Sequence, residues 1–209
     1  MSRNPSSLVL IRPAARHFVP GGRPIFVVGI YNLGKGPVEF RVANVEAVQT
    51  VNRQAVDLKV ITYEQLVNEE RNRQIFAAVL TGVAAGANAV AASQSGYYHG
   101  NTTIHTSRGT YTAHTTGFSP TAAAIAQARA SAQNEAMIAS TIEAGQRNMA
   151  MLEQAVIKDN TLLPGEWYGG QVHLQPLGSD AASGPKTYSI ALLVGPDRHE
   201  IDIVQEAVR

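Results

Sequence analysis

The chain has no cysteine, a single tryptophan and few charged residues. Without cysteine, disulfides and thiolate metal sites are excluded, and the redox compartment stays open. Charged residues are 16% of 209 and sum to a formal net charge of +1, with no run of Lys or Arg. No nucleic-acid partner is therefore expected. From Gln74 to Ser107 there is no Asp, Glu, Lys or Arg at all. Paired acid/base groups and a nucleophile elbow are also missing, so no enzyme is expected. Met1-Ser2-Arg3-Asn4-Pro5 lacks the apolar core of a signal peptide, which implies a cytoplasmic protein or a leader already removed.

What is present describes a folded chain. Hydrophobic residues reach 44%, and a surface this poor in charge suggests coverage by other copies. Leu8 to Ile11, Arg16 to Val19, Ile25 to Tyr31, Val38 to Val42, Val45 to Val51 and Val56 to Ile61 read as short strands. The turn residues Pro20-Gly21-Gly22 and Gly34-Lys35-Gly36-Pro37 punctuate them. After Asp159-Asn160 strands resume: Trp167 to Leu174, whose Gly169-Gly170 suggests a bulge or close contact, then Tyr188 to Val194 and Glu200 to Val204 across Gly195-Pro196-Asp197. Pro176 to Pro185 reads as a flexible loop.

Between the two sets of strands lie two long helices. Thr62 and Gln65 have capping-box form, and Glu64 suits the first turn. Leu66, Phe76, Leu80, Val83, Ala87 and Val90 recur at helical spacing, with Ala78, Gly82 and Gly86 four apart on a neighbouring face. An interior helical glycine costs about 1 kcal/mol relative to Ala, so Gly82 and Gly86 suggest close approach of another backbone. Ser119-Pro120 caps and starts the second helix, which can run to about Lys158. Its Ile138, Ile142, Gly145, Met149, Leu152 and Val156 step by four and three, as in a coiled-coil seam. Matched lengths predict an antiparallel helical hairpin.

The expected fold is α+β: an antiparallel, immunoglobulin-like β-sandwich of residues 1–61 and 159–209. Residues 62–158 form an inserted long helical arm with a small β-hairpin (about 97–118) at its tip. Leu58-Lys59-Val60-Ile61-Thr62-Tyr63-Glu64-Gln65-Leu66 and Lys158-Asp159-Asn160-Thr161-Leu162-Leu163-Pro164-Gly165-Glu166-Trp167-Tyr168-Gly169-Gly170 resemble segments of a group of uncharacterised bacterial envelope proteins. The resemblance implies a bacterial source and export, to the periplasm or outer membrane, with a leader missing from this numbering. It implies no activity and no functional residues.

Asn101 to Ser107 and Thr110 to Thr116 are strand-like, and Arg108-Gly109 fits a two-residue turn. That register sets Ser107 opposite Thr110, His105 opposite Thr112 and Thr103 opposite His114. His105 and His114 become diagonal neighbours, with His99 on the same face nearer the base. Such a face could hold Zn or Cu, or it could be a solvated or subunit-facing sheet. Ile75 to Ala92 is long enough to cross a membrane, but Arg129, Glu135, Glu143 and Arg147 on the partner helix oppose that. The hairpin strands instead could enter an oligomeric barrel, with Tyr97, Tyr98 and Phe118 at one interface. The leading expectation is a non-enzymatic structural protein of the envelope, a homo-oligomer through its arm with a possible envelope partner. A metal- or ligand-binding module and a membrane-inserting pore are the alternatives. Glu69-Glu70 with Arg71 and Arg73 read as exposed charges, Trp167-Tyr168 as core or edge packing, and His173 and His199 as ordinary strand residues.

Overall fold

The computed structural model describes residues 1–19, 21–177 and 185–207. The chain is α+β, with mostly antiparallel sheets and two helices. Seven strands come first: β1 (Ser2–Arg3), β2 (Ser7–Pro13), β3 (His17–Phe18), β4 (Ile25–Asn32), β5 (Val38–Val51), β6 (Gln54–Leu58) and β7 (Val60–Ile61). Then follow α1 (Tyr63–Gln94), β8 (Tyr97–Thr106), β9 (Gly109–Phe118) and α2 (Pro120–Ala155). The chain closes with β10 (Asn160–Leu162), β11 (Trp167–Leu174), β12 (Lys186–Val194) and β13 (Asp197–Ala207). Most of the expected Pro176–Pro185 loop lies outside the described residues.

Two compact units result, residues 1–69 with 149–209 and residues 70–148. In the first, one sheet has the order β1-β2-β4-β11-β7 and another β10-β5-β12-β13-β3, with β6 also on β5. Among the described strand pairs the short β3–β13 pairing is parallel and the others are antiparallel. Period-two alternation decides what each strand buries. Phe26, Val28 and Ile30 of β4 join Phe40 of β5, Val172 of β11 and Tyr188 and Ile190 of β12 in one core cluster. The Phe26 and Tyr188 rings meet edge to face at 5.0 Å.

The stretches Val38–Val42 and Val45–Val51 form one strand of 14 residues, where two were expected. Phe40 pairs with Val194 but Val45 with Leu192, so five residues of β5 cover two of β12. That irregularity changes which parity faces inward, from Val38, Phe40 and Val42 to Val45, Ala47 and Gln49. Buried Asn32 ties the adjoining turns: its Nδ2 donates to the carbonyls of Gly36 (2.9 Å) and Leu162 (3.0 Å), and its Oδ1 accepts from Gly34 N.

The first turns of α1 and the last turns of α2 count with the sheets. The Thr62 cap forms as expected, with Thr62 N donating to Gln65 Oε1 at 3.1 Å. Leu66 is buried with Ile61 and Val156, and Tyr63 and Leu152 pack beside them. α2 ends at Ala155, earlier than the sequence suggests. Val156 bridges to Gln171 and Ile157 N donates to Gln171 O at 3.0 Å, because Ile157 is needed in the sheet core.

Candidate assembly surface

Residues 70–148 have an inverted distribution of polarity. Much of the contact between α1 and α2 is polar. Asn88 Nδ2 donates to Asn134 Oδ1 at 2.9 Å, and Thr81 Oγ1 lies 3.1 Å from Thr141 Oγ1. Gln74 Nε2 donates to Gly145 O at 3.1 Å, and Asn148 Nδ2 donates to Glu70 Oε1 at 3.1 Å. These pairings run in opposite directions along the two helices, which are therefore antiparallel. Glu70 is buried rather than exposed, held by Arg73, Gln74 and Asn148. Among the described residues of this unit the buried apolar side chains are Ala92 and Ala130, and neither core cluster includes a residue from 70 to 148.

Beyond Val67, the large apolar side chains of α1 point outward. Ile75, Phe76, Val79, Leu80, Val83 and Val90 are all more than half exposed. Only 6% of the most apolar stretch of this helix is buried, and by length and composition it is the one described helix that could cross a membrane. A Cβ added at Gly82 or Gly86 would meet nothing within 4 Å. Among the described residues, none approaches these two glycines closely. The glycine that packs against α1 is Gly145, where an added Cβ would lie 2.9 Å from Gln74 Cδ.

The expected α2 seam divides. Ile138 and Ile142 are exposed, Met149 and Leu152 half-buried, and Val156 lies beyond the helix and is buried. The seam toward α1 runs instead through Ala123, Ala126, Ala130, Asn134, Met137, Thr141 and Asn148. On its other faces α2 exposes Arg129, Glu135, Glu143 and Arg147.

β8 and β9 form a two-stranded sheet of their own, with every residue exposed except half-buried Gly100 and Gly117. The turn is Ser107-Arg108, so Thr106 faces Gly109, one position earlier than the Arg108-Gly109 turn suggests. His105 then lies opposite Thr110, and His114 opposite Asn101. The two histidines share a face but stand four residues apart along it, ~13 Å at the rise of a strand. His99, opposite Thr116, is the diagonal neighbour of His114. His114 Nδ1 lies 2.6 Å from Asn101 Oδ1 and His105 Nδ1 3.0 Å from Thr110 Oγ1. Among the described residues no group of three or more His, Asp or Glu could hold a metal ion.

The sheets contain a constellation that strand alternation does not reveal. Ser7 and His199 are fully buried. Ser7 Oγ donates to Asp197 Oδ2 at 2.7 Å and lies 2.8 Å from His199 Nε2. Its one proton goes to the carboxylate, so His199 Nε2–H donates to Ser7, and Nδ1 accepts from Ser2 Oγ at 2.9 Å. A nucleophilic serine needs the reverse order, with its proton passing to an imidazole that the acid orients. Here the trio fastens β1 and β2 to β13. Burial lowers the His199 pKa against an opposing pull from Asp197. His173, also buried, is lowered by burial and by Arg23. Trp167 is exposed, its ring 4.8 Å from that of Tyr31. Comparisons with protein-family models, curated proteins and solved structures returned no match.

Proposed function

We propose that this chain is a non-enzymatic structural protein whose copies associate through the face of α1 turned away from α2. In this reading the two sheets form an immunoglobulin-like β-sandwich that serves as a docking base, and the inserted helical arm carries the contacts. One observation supports it above the others: residues 70–148 have no apolar core, while α1 exposes six large apolar side chains along one face. Leaving that much contiguous apolar surface in water is unfavourable by about 25 cal/mol per Å². A second copy covers it economically. The apolar face of α1 then lies against a neighbouring copy, the charged faces of α2 stay in solvent, and the open space at Gly82 and Gly86 admits the neighbour.

Lipid is the other apolar medium that could cover α1. The paired helix carries exposed Arg129, Glu135, Glu143 and Arg147 along the same length, and each would be costly in a bilayer. We propose the bacterial envelope as the setting of such an assembly, a reading motivated by the resemblance of residues 58–66 and 158–170 to envelope proteins. Light scattering on the full-length chain across a wide range of concentration tests the reading. A defined mass at a multiple of the 22.3 kDa chain is expected. A strict monomer, with and without detergent, would overturn it.

A further inference from the structure

We infer that the β8–β9 hairpins of neighbouring copies join edge to edge into a closed β-barrel that crosses a lipid bilayer, the histidine-bearing face lining an aqueous lumen. The inference rests on the self-association proposed above and assigns an activity to the assembled form, passage of small hydrophilic solutes or ions.

The hairpin cannot be an end state as a single copy. Both its faces and both its edges are open, and an isolated two-stranded sheet is at best marginally stable in water. Unpaired edges of this length invite further strands, and closure into a barrel removes them. Each strand has 10 residues, the length that crosses a bilayer when tilted.

The side chains then sort by face in the manner such a barrel requires. Opposite pairs share a face. Beyond the packed Tyr97–Phe118 pair at the base, one face carries His99, Asn101, Thr103 and His105 from β8. Thr110, Thr112, His114 and Thr116 from β9 complete it. Every one of those side chains can hydrogen-bond with water. The other face carries Tyr98, Ile104, Tyr111 and Ala113 among glycines and threonines, with no amide, carboxylate or basic group. Its aromatics stand near the two ends of the strands, Tyr98 at the base and Tyr111 near the turn, where bilayer interfaces favour them. Between Gln74 and Arg129 the only formally charged residue is Arg108, and it occupies the turn itself. A turn that emerges on the far side of the membrane can keep that charge in water. Each copy supplies two strands, so four copies would give the roughly eight strands of the smallest barrels. A water-filled lumen of about 16 strands would need about eight copies.

Because the chain has no cysteine, single cysteines can report each position separately. Thr102→Cys, Ile104→Cys and Ala113→Cys would be labelled with an environment-sensitive fluorophore in the full-length protein. Thr103→Cys, His105→Cys and Thr112→Cys would be treated in the same way. All are then mixed with phosphatidylcholine/phosphatidylglycerol vesicles holding a self-quenched dye. The expected result is dye release by the unlabelled protein and an alternating pattern in the labels. Positions 102, 104 and 113 shift to the blue and resist an aqueous quencher, while 103, 105 and 112 stay quenchable. In planar bilayers Thr103→Asp and Thr112→Asp should keep discrete conductance steps and shift selectivity toward cations. Stable oligomers that release no dye and show no alternation would overturn the barrel and leave self-association standing. Strict monomers would overturn both.

Discussion

Replacing Val83 by serine separates a covered α1 face from a bare one. Val83 is 68% exposed within one chain, among the most exposed apolar side chains of α1. Serine and valine have similar helix propensities, so on a bare face the substitution changes stability by no more than about 0.5 kcal/mol. If another copy covers the face, each chain loses the burial of a valine, about 1.5 kcal/mol at the low end of the range. That loss weakens association about tenfold per contact. Val79→Ser/Val83→Ser removes a second side chain one turn away and should weaken association about a hundredfold, if the two effects add. Sedimentation equilibrium or light scattering on serial dilution reads the shift, and circular-dichroism melts of the dissociated chain check that its own fold is unaltered. Unchanged dissociation midpoints in both variants would refute the reasoning. Gly86→Ala provides an opposite-signed control. Its Cβ meets nothing within the chain, and alanine in a helix interior is worth about 1 kcal/mol over glycine. The dissociated chain should become more stable while the assembly weakens, and a gain in both would show that no neighbouring backbone approaches Gly86.

Two further expectations concern the sheets. Ser7→Ala removes the donor to Asp197 and the acceptor for His199 Nε2–H in a fully buried position, which should cost about 1–3 kcal/mol. A thermal melt indistinguishable from the parent would show that the trio does not fasten β2 to β13. The chain should also lose stability in mild acid. His173 and His199 both have folded pKa values below their ordinary 6.5, chiefly through burial. The unfolded chain therefore takes up protons that the folded chain refuses. Their contribution is intact above about pH 6.5 and is lost as pH falls toward the folded values, at about 1.4 kcal/mol per pH unit for each histidine. Urea midpoints measured between neutral pH and pH 5 read the slope, and flat midpoints would contradict it.

Local chemistry made much of this chain legible. Thr62 with Gln65, and Ser119 with Pro120, mark helix starts because a cap is a contact between near neighbours, and both helices begin there. The β-branched and aromatic residues of β4 and the apolar residues of β11 and of β12 from Tyr188 onward fall within the expected strands for the same reason. The β8–β9 turn came out one position early, since Ser107-Arg108 and Arg108-Gly109 are both plausible turns and only the full ladder of cross-strand pairs selects between them. That one step moved His105 and His114 from diagonal neighbours to opposite stretches of one face.

Which face of α1 turns inward was not legible. The large apolar residues recur at helical spacing, and periodicity alone would turn that side of the helix toward α2. Its orientation is settled by Asn88, Thr81, Gln74 and Glu70 finding partners on α2. The same holds for Ser7, Asp197 and His199, which lie about 190 residues apart in sequence. Sequence alone determined where the two helices begin, roughly where most of the longer strands lie, and that the middle of the chain is nearly free of charge, because those are properties of neighbours. Only tertiary structure decided that the polar groups of the helices face each other and the apolar ones face out. That choice depends on hydrogen-bond partners brought together from distant parts of the chain.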